Sequence, residues 1–163
     1  FDRYLPELPN IASVRVCREP LWVAVHSDNP LSRLQRISID DLRNEPMIDE
    51  QDPSVSIACR ELFKLHDFQP VVVQNAADLI AATIMVSGGF GSALLPESIL
   101  NLRLSNVIYR PLVSEVDCMI DLHFAYRKDE ESPLLDALLE CVRAYARNTE
   151  QVEATTTEPP AEQ

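Results

Sequence analysis

Long apolar runs are missing from this 163-residue sequence. No stretch approaches the roughly twenty apolar residues that span a bilayer, and no charged-then-apolar secretory pattern opens the chain. Aromatic residues are scarce, at 6%, so a core must be built from Leu, Ile, Val and Ala. Basic residues are outnumbered, 14 against 26 acidic, for a formal net charge of −12. Glu150, Glu153, Glu158 and Glu162 account for four of those charges in residues 149–163, a stretch without Lys or Arg, and −8 remains for the body. Such a body repels a phosphate backbone, so this segment is a poor candidate for touching DNA directly.

The metal-binding residue types show no pattern either. Cys17, Cys59, Cys118 and Cys141 are far apart in sequence, and His26, His66 and His123 are equally scattered. Zinc sites usually draw at least one tight ligand pair from a turn, so no metal or other cofactor is expected. Unpatterned cysteines suit small buried hydrophobes in a reducing, cytoplasmic compartment. Enzyme signatures are equally lacking. Gly88-Gly89-Phe90-Gly91-Ser92 is neither a nucleophile elbow nor a phosphate loop; a helix end followed by a tight entry into a strand accounts for it. His26-Ser27-Asp28 holds triad residue types, but neighbours on a strand face opposite ways. Glu61, His66 and Asp67 read as a solvated helix face. The chain opens on Phe1 rather than Met, so the natural N-terminus is expected to lie upstream.

What is present is an alternation of strand-like and helix-like segments, without internal repeats. Ile11–Val16 alternates as a half-buried strand, and Leu21–Val25 is a short apolar run of the buried type. Ser38 and Asp41 predict a capping box on a short helix ending near Glu45, before Pro46. Met47-Ile48 is a strand, followed by a polar loop from Asp49 to Ser54 and a helix with Val55, Ala58, Cys59, Leu62 and Leu65 on one face. Val71-Val72-Val73 is a third strand. Asn75 is expected to cap a helix over Ala76–Val86 that is apolar nearly all round, and hence buried on two sides. Ser92–Leu95 is the next strand, with a short helix over 97–102 and a strand over 107–109 after it. Met119–Tyr126 precedes a last helix opened by Ser132-Pro133, with Leu135, Leu138, Leu139, Val142 and Tyr145 as its buried stripe. Residues 148–163, rich in Glu, Thr and Pro, read as a disordered tail. The order implies right-handed crossovers and a mainly parallel sheet with helices on both faces.

Several of these segments together resemble a known family. They are Leu21-Trp22-Val23-Ala24-Val25-His26 with Asn29-Pro30-Leu31; Ile39-Asp40-Asp41-Leu42 with Glu45-Pro46-Met47-Ile48; Ala77-Asp78-Leu79 leading through Gly88-Gly89-Phe90-Gly91 to Ala93-Leu94-Leu95-Pro96; and Val107-Ile108-Tyr109-Arg110-Pro111-Leu112. In this order and spacing they resemble the effector-binding domain of LysR-type transcriptional regulators, over about residues 5–147. The opening, Tyr4-Leu5-Pro6 to Pro9-Asn10-Ile11, is most similar to members controlling aromatic catabolism. The resemblance implies an α/β fold of the periplasmic-binding-protein type 2, bilobal, with one complete lobe plus part of the other. Residues 20–113 would form the complete lobe; 1–19 and 114–147 would be the leaving and returning parts of the first. It also implies a small-molecule effector from aromatic catabolism, a homodimer or homotetramer, no membrane, and contact with DNA only through a helix-turn-helix domain outside this chain.

In open α/β sheets ligands bind beyond the carboxyl ends of the strands, where loops lead into helices whose free N–H groups favour anions. Two loops qualify, one after Met47-Ile48 and one after Val73. By resemblance the effector lies between the lobes against them, with Met47, Ile48, Asp49, Ser54, Gln74 and Asn75 as the candidates. Ser54 and Asn75 could equally be plain helix caps. Asp49, Glu50 and Asp52 put negative charge where an anionic effector would come. They point outward, or serve structure, or the effector is neutral or cationic. A solute-binding protein of the same architecture without DNA binding is the alternative function.

Overall fold

The computed structural model describes residues 9–156 except 52 and 117, with the side chains of 53, 54 and 150–156 left aside. The chain divides into two compact units. One holds the residues up to Arg18 together with those from Asp121 onward; the larger is Glu19–Ile120.

In the larger unit the strands are the second half of β1 (Ile11–His26), β2 (Ile37–Ser38), β3 (Pro46–Glu50), β4 (Val71–Ala76), β5 (Ala93–Pro96) and β6 (Val107–Val113). The helices are α1 (Pro53–Leu65) and α2 (Leu79–Ser87). β1 lies between β5 and β6 and runs antiparallel to both, pairing Val23 with Leu94 on one side and Arg110 on the other. β2 is parallel to β6, β3 is parallel to β4, and Met47 bridges Ser92 in parallel at the entrance to β5. One strand therefore runs against all the others. The expectation of a mainly parallel sheet holds for β3, β4 and β5, where helices make the crossovers. It fails at β1, whose antiparallel partners β5 and β6 are distant from it in sequence, a pairing that the order of elements does not specify.

Burial on both faces follows from the pleat. Leu21, Val23 and Val25 point into a core shared with Val55, Cys59, Leu62 and Phe63 of α1. Ala24 points into the opposite core, with Ala82 and Val86 of α2 and Leu95. The same alternation sends Met47 and Leu94 to the α1 side and Ile48, Ala93 and Leu95 to the α2 side. The apolar run over 21–25 is thus what a strand covered on both faces requires.

Several expectations change. Ile11–Val16 and Leu21–Val25 are one continuous strand through Pro20. Asn75 does not cap α2: β4 continues to Ala76, and Asp78 is the cap, its carboxylate accepting from the Ala81 N–H at 2.7 Å. Pairing of Asn75 with Asp49 and of Ala76 with Glu50 holds those residues in the ladder, so the helix starts later. Nor is α2 buried on two sides. Ala82, Thr83 and Val86 are buried, but Ile80 and Ile84 are more than half exposed. Val71, Val72 and Val73 are likewise exposed, because β4 is the edge of its two-stranded pair. The capping box is present: Ser38 N–H donates to Asp41 at 2.8 Å and Asp41 N–H to Ser38 Oγ at 3.3 Å, on a 3-10 helix over Ile39–Leu42.

The smaller unit pairs the first half of β1 with β7 (Met119–Arg127) and packs α3 (Pro133–Thr156) on Val16. The buried stripe of α3 is Leu139, Val142 and Ala146; Leu138 and Tyr145, expected in it, are exposed. α3 also continues through residues 149–156, which the composition had placed in the tail. Propagating an existing helix costs little, no Gly or Pro interrupts it there, and the Thr149 hydroxyl donates to the carbonyl of Val16 at 3.0 Å. Residues 157–163 lie outside the described residues. No helix among the described residues is long and apolar enough to cross a membrane.

Candidate functional site

β3 and β4 end side by side because their parallel register pairs Ile48 with Gln74 and Asp49 with Asn75. A shift in register between Met47 and Ile48 sets this alignment. Both strands then feed a helix: β3 leads to α1, and β4 leads through Ala77 and the cap Asp78 to α2. Two helix N-termini therefore open from one end of the sheet, the arrangement that favours ligand binding in α/β folds.

The candidate residues take different places in this end. Met47 and Ile48 are each 3% exposed and belong to the two opposite cores, so their side chains are packed inside on either face of β3. Asp49 is half-buried, and Gln74 and Asn75 are exposed. Ser54 is the second residue of α1 rather than the residue before it; its side chain lies outside the described set. The register thus sets Asp49 beside Asn75 at the surface, while Gln74, paired with Ile48, is exposed on the other face of β4.

Beneath them Met47, Asp49, Glu50, Ser56, Cys59, Phe63 and Val72 line a crevice of about 20 Å³. That volume holds a water molecule and no metabolite, so a ligand of any size must sit on the outer side. Sequence reasoning missed Ser56, Cys59 and Phe63 as neighbours of this end. They sit on α1 turned toward β3, and the helical stripe Val55, Cys59, Leu62 was the available signal. Arg60 bonds the Ser56 carbonyl at 3.1 Å and its hydroxyl at 2.7 Å, which fixes the guanidinium along the first turns of α1.

Burial pushes the Cys59 thiol far up, and the carboxylates of Glu50 and Asp49 push it further. A thiol held neutral in the fold contributes stability that is whole below the free thiol's pKa of about 8.5 and is lost as pH rises above it. Iodoacetamide should therefore modify exposed Cys141 in the folded chain and spare Cys59, as read by peptide mass spectrometry. The urea midpoint should also fall more steeply above pH 9 in the natural chain than in Cys59→Val. Among the described residues no group of three or more His, Cys, Asp or Glu is arranged to hold a metal ion.

Comparisons with known proteins meet this geometry at the level of the whole chain. A family model described as LysR substrate binding domain matches residues 2–147. The HTH-type transcriptional regulator BenM of Acinetobacter baylyi is 29% identical over 158 residues, covering 92% of this chain and 52% of that protein. AlsR of Bacillus subtilis, also an HTH-type transcriptional regulator, is 28% identical, over 84% of this chain and 46% of its own length. The chain spans about half the length of these relatives. Among solved structures, the BenM effector binding domain with its effector benzoate superposes with a TM-score of 0.76 at 26% identity, over 97% of this chain and 71% of that one. CbnR, a LysR family transcriptional regulator, superposes with a TM-score of 0.80 at 24% identity over 89% of this chain and 51% of that one, a likeness of fold.

Proposed function

This chain belongs to the LysR substrate-binding domain family, and on that premise we propose that it is the effector-sensing part of a transcriptional regulator rather than an enzyme. The observation that carries the reading is the shared end of β3 and β4, where Asp49 pairs with Asn75, Gln74 is exposed beside them in sequence, and two helix N-termini open. These three side chains contact the effector, with Met47 and Ile48 packed inside on either face of β3 and the first turn of α1, which contains Ser54, as one wall. Residues Glu19–Ile120 serve as a complete lobe, and the smaller unit is part of a second. The effector acts by binding one arrangement of the regulator more tightly than another. DNA is read by a helix-turn-helix segment elsewhere in the polypeptide, since the acidic body opposes phosphate. Self-association into a dimer or tetramer and residence in the cytoplasm belong to the same proposal.

The charge at the site bears on the effector. The effector of the BenM domain is benzoate, a carboxylate. Here half-buried Asp49 and buried Glu50 lie at the strand end, and at close range each carboxylate opposes an anion by roughly 1 kcal/mol or more. We therefore place neutral or cationic aromatic compounds ahead of aromatic acids. Asp49→Asn should strengthen binding of benzoate by about tenfold relative to the natural chain, as measured by calorimetry. The wider reading is tested by footprinting the full-length regulator on its own upstream DNA while aromatic amines, alcohols and acids are added singly. A compound that alters the footprint and raises the melting temperature supports it. Full-length protein that neither binds that DNA nor responds to any of these compounds would overturn it.

A further inference from the structure

At the opposite end of β3, about 13 Å from the effector loops by strand length, the larger unit holds a second cavity. It measures about 290 Å³ and is lined by His26, Asn29, Glu45, Pro46, Gly89, Phe90 and Gly91. We propose that it binds a small organic cation, a protonated amine carried on an aromatic or apolar body.

Glu45 carries the argument. Its carboxylate is half-buried, and Oε1 is fixed by two donors: the side-chain amide of Asn29 and, at 2.6 Å, the hydroxyl of Ser92, which is fully buried. Both donors are neutral. No Lys or Arg among the described residues pairs with Glu45, and Oε2 takes no hydrogen bond from any of them. A partly desolvated carboxylate held only by neutral donors gains from a cation brought to its open oxygen. Asn29 is itself locked, its Oδ1 accepting from the Leu31 N–H at 2.9 Å, so the carboxylate is aimed before any ligand arrives.

The other walls select the rest of the ligand. Phe90 is 59% exposed on the cavity wall, an aromatic face for a ring or for a cation. His26 Nδ1 accepts from the Asp28 N–H at 3.2 Å and lies 3.8 Å from the Asp28 carboxylate, which leaves Nε2 as the ring nitrogen free to donate. The imidazole therefore offers a donor and does not compete with Glu45 for an ammonium group. Gly89 and Gly91 leave the cavity free of side chains between Phe90 and His26; a Cβ on Gly89 would stand 3.9 Å from the His26 ring. With one carboxylate and one imidazole the cavity lacks the donors a divalent metal requires.

The test is a titration of the chain with benzylamine, followed by NMR of the His26 and Phe90 ring signals, with benzyl alcohol as the neutral isostere. The expected result is saturable shifts of both rings with benzylamine, and binding at least about tenfold weaker for benzyl alcohol and for Glu45→Gln. Glu45→Gln keeps an oxygen to accept from Ser92 and removes only the charge. Phe90→Ala, at an exposed position, should also weaken benzylamine binding and serves if Glu45→Gln fails to fold. Equal binding of the alcohol, unchanged binding in a folded Glu45→Gln, or shifts confined to Asp49, Gln74 and Asn75 would each overturn the proposal. The last outcome would leave the effector site standing while removing this one.

Discussion

Replacing Phe63 with alanine lowers the stability of the larger unit by about 4 kcal/mol, the range for emptying a buried aromatic position. The ring is 6% exposed and sits in the α1-side core with Val55, Cys59, Leu62 and Met47. It meets Phe68 edge to face at 5.0 Å, and Phe68 in turn lies 4.8 Å beneath the Arg43 guanidinium. The crevice beside Phe63 and Met47 would enlarge rather than collapse, since β3 is held on both sides by ladder bonds. The consequence reaches the site, because α1 is the wall above that crevice. Phe63→Leu keeps most of the volume and should cost less than half as much. Urea unfolding of the two variants measures the difference; equal losses would mean that the ring does not anchor α1.

Gly91→Ala should cost about 3 kcal/mol, which for a chain of this length lowers the melting temperature by roughly 10 °C. Two observations combine here. Gly91 has φ 155°, a conformation that side chains rarely adopt, and a Cβ would stand 2.8 Å from the carbonyl oxygen of Pro46 and 3.2 Å from Ile48 Cγ1. The oxygen cannot retreat, because it accepts from the Ser92 N–H at 2.8 Å while Ile48 N–H donates to Ser92 at 2.7 Å. Gly89→Ala is the comparison. Its φ of 76° is also positive, but the added Cβ meets nothing closer than 3.9 Å, so only the backbone penalty of about 1 kcal/mol applies. Calorimetric melting of both variants tests the ranking, and a larger loss at Gly89 would contradict it.

Parts of the fold with local causes were readable in the sequence. Ser38 and Asp41 announce their capping box, and the run Leu21–Val25 announces a strand covered on both faces. The glycine cluster announces its turn, although only Gly89 and Gly91 have positive φ. Features that depend on register or on distant partners were not readable. Asn75 looks like a cap in isolation and becomes a strand residue only because Asp49 pairs with it. The antiparallel course of β1 depends on which connections carry helices. Tyr145 and Leu138 fit a helical stripe by spacing, yet the strands beneath α3 accept Leu139, Val142 and Ala146 instead. At the candidate site, strand ends and helix starts in the sequence pointed to the end of β3 where β3 and β4 lie side by side before α1 and α2. Which of those residues are buried and which are at the surface emerged from the alternation of Met47 and Ile48 between two cores. Glu45 gave no signal, since its partners Asn29 and Ser92 are far from it in sequence.

The central claim is that Asp49, Gln74 and Asn75 hold the effector. Calorimetry of the full-length regulator with a compound that shifts its footprint, set against an Asp49→Ala/Asn75→Ala double variant, addresses it most directly. Binding should be at least about tenfold weaker in the variant at an unchanged melting temperature. Undiminished affinity in a folded variant would contradict it.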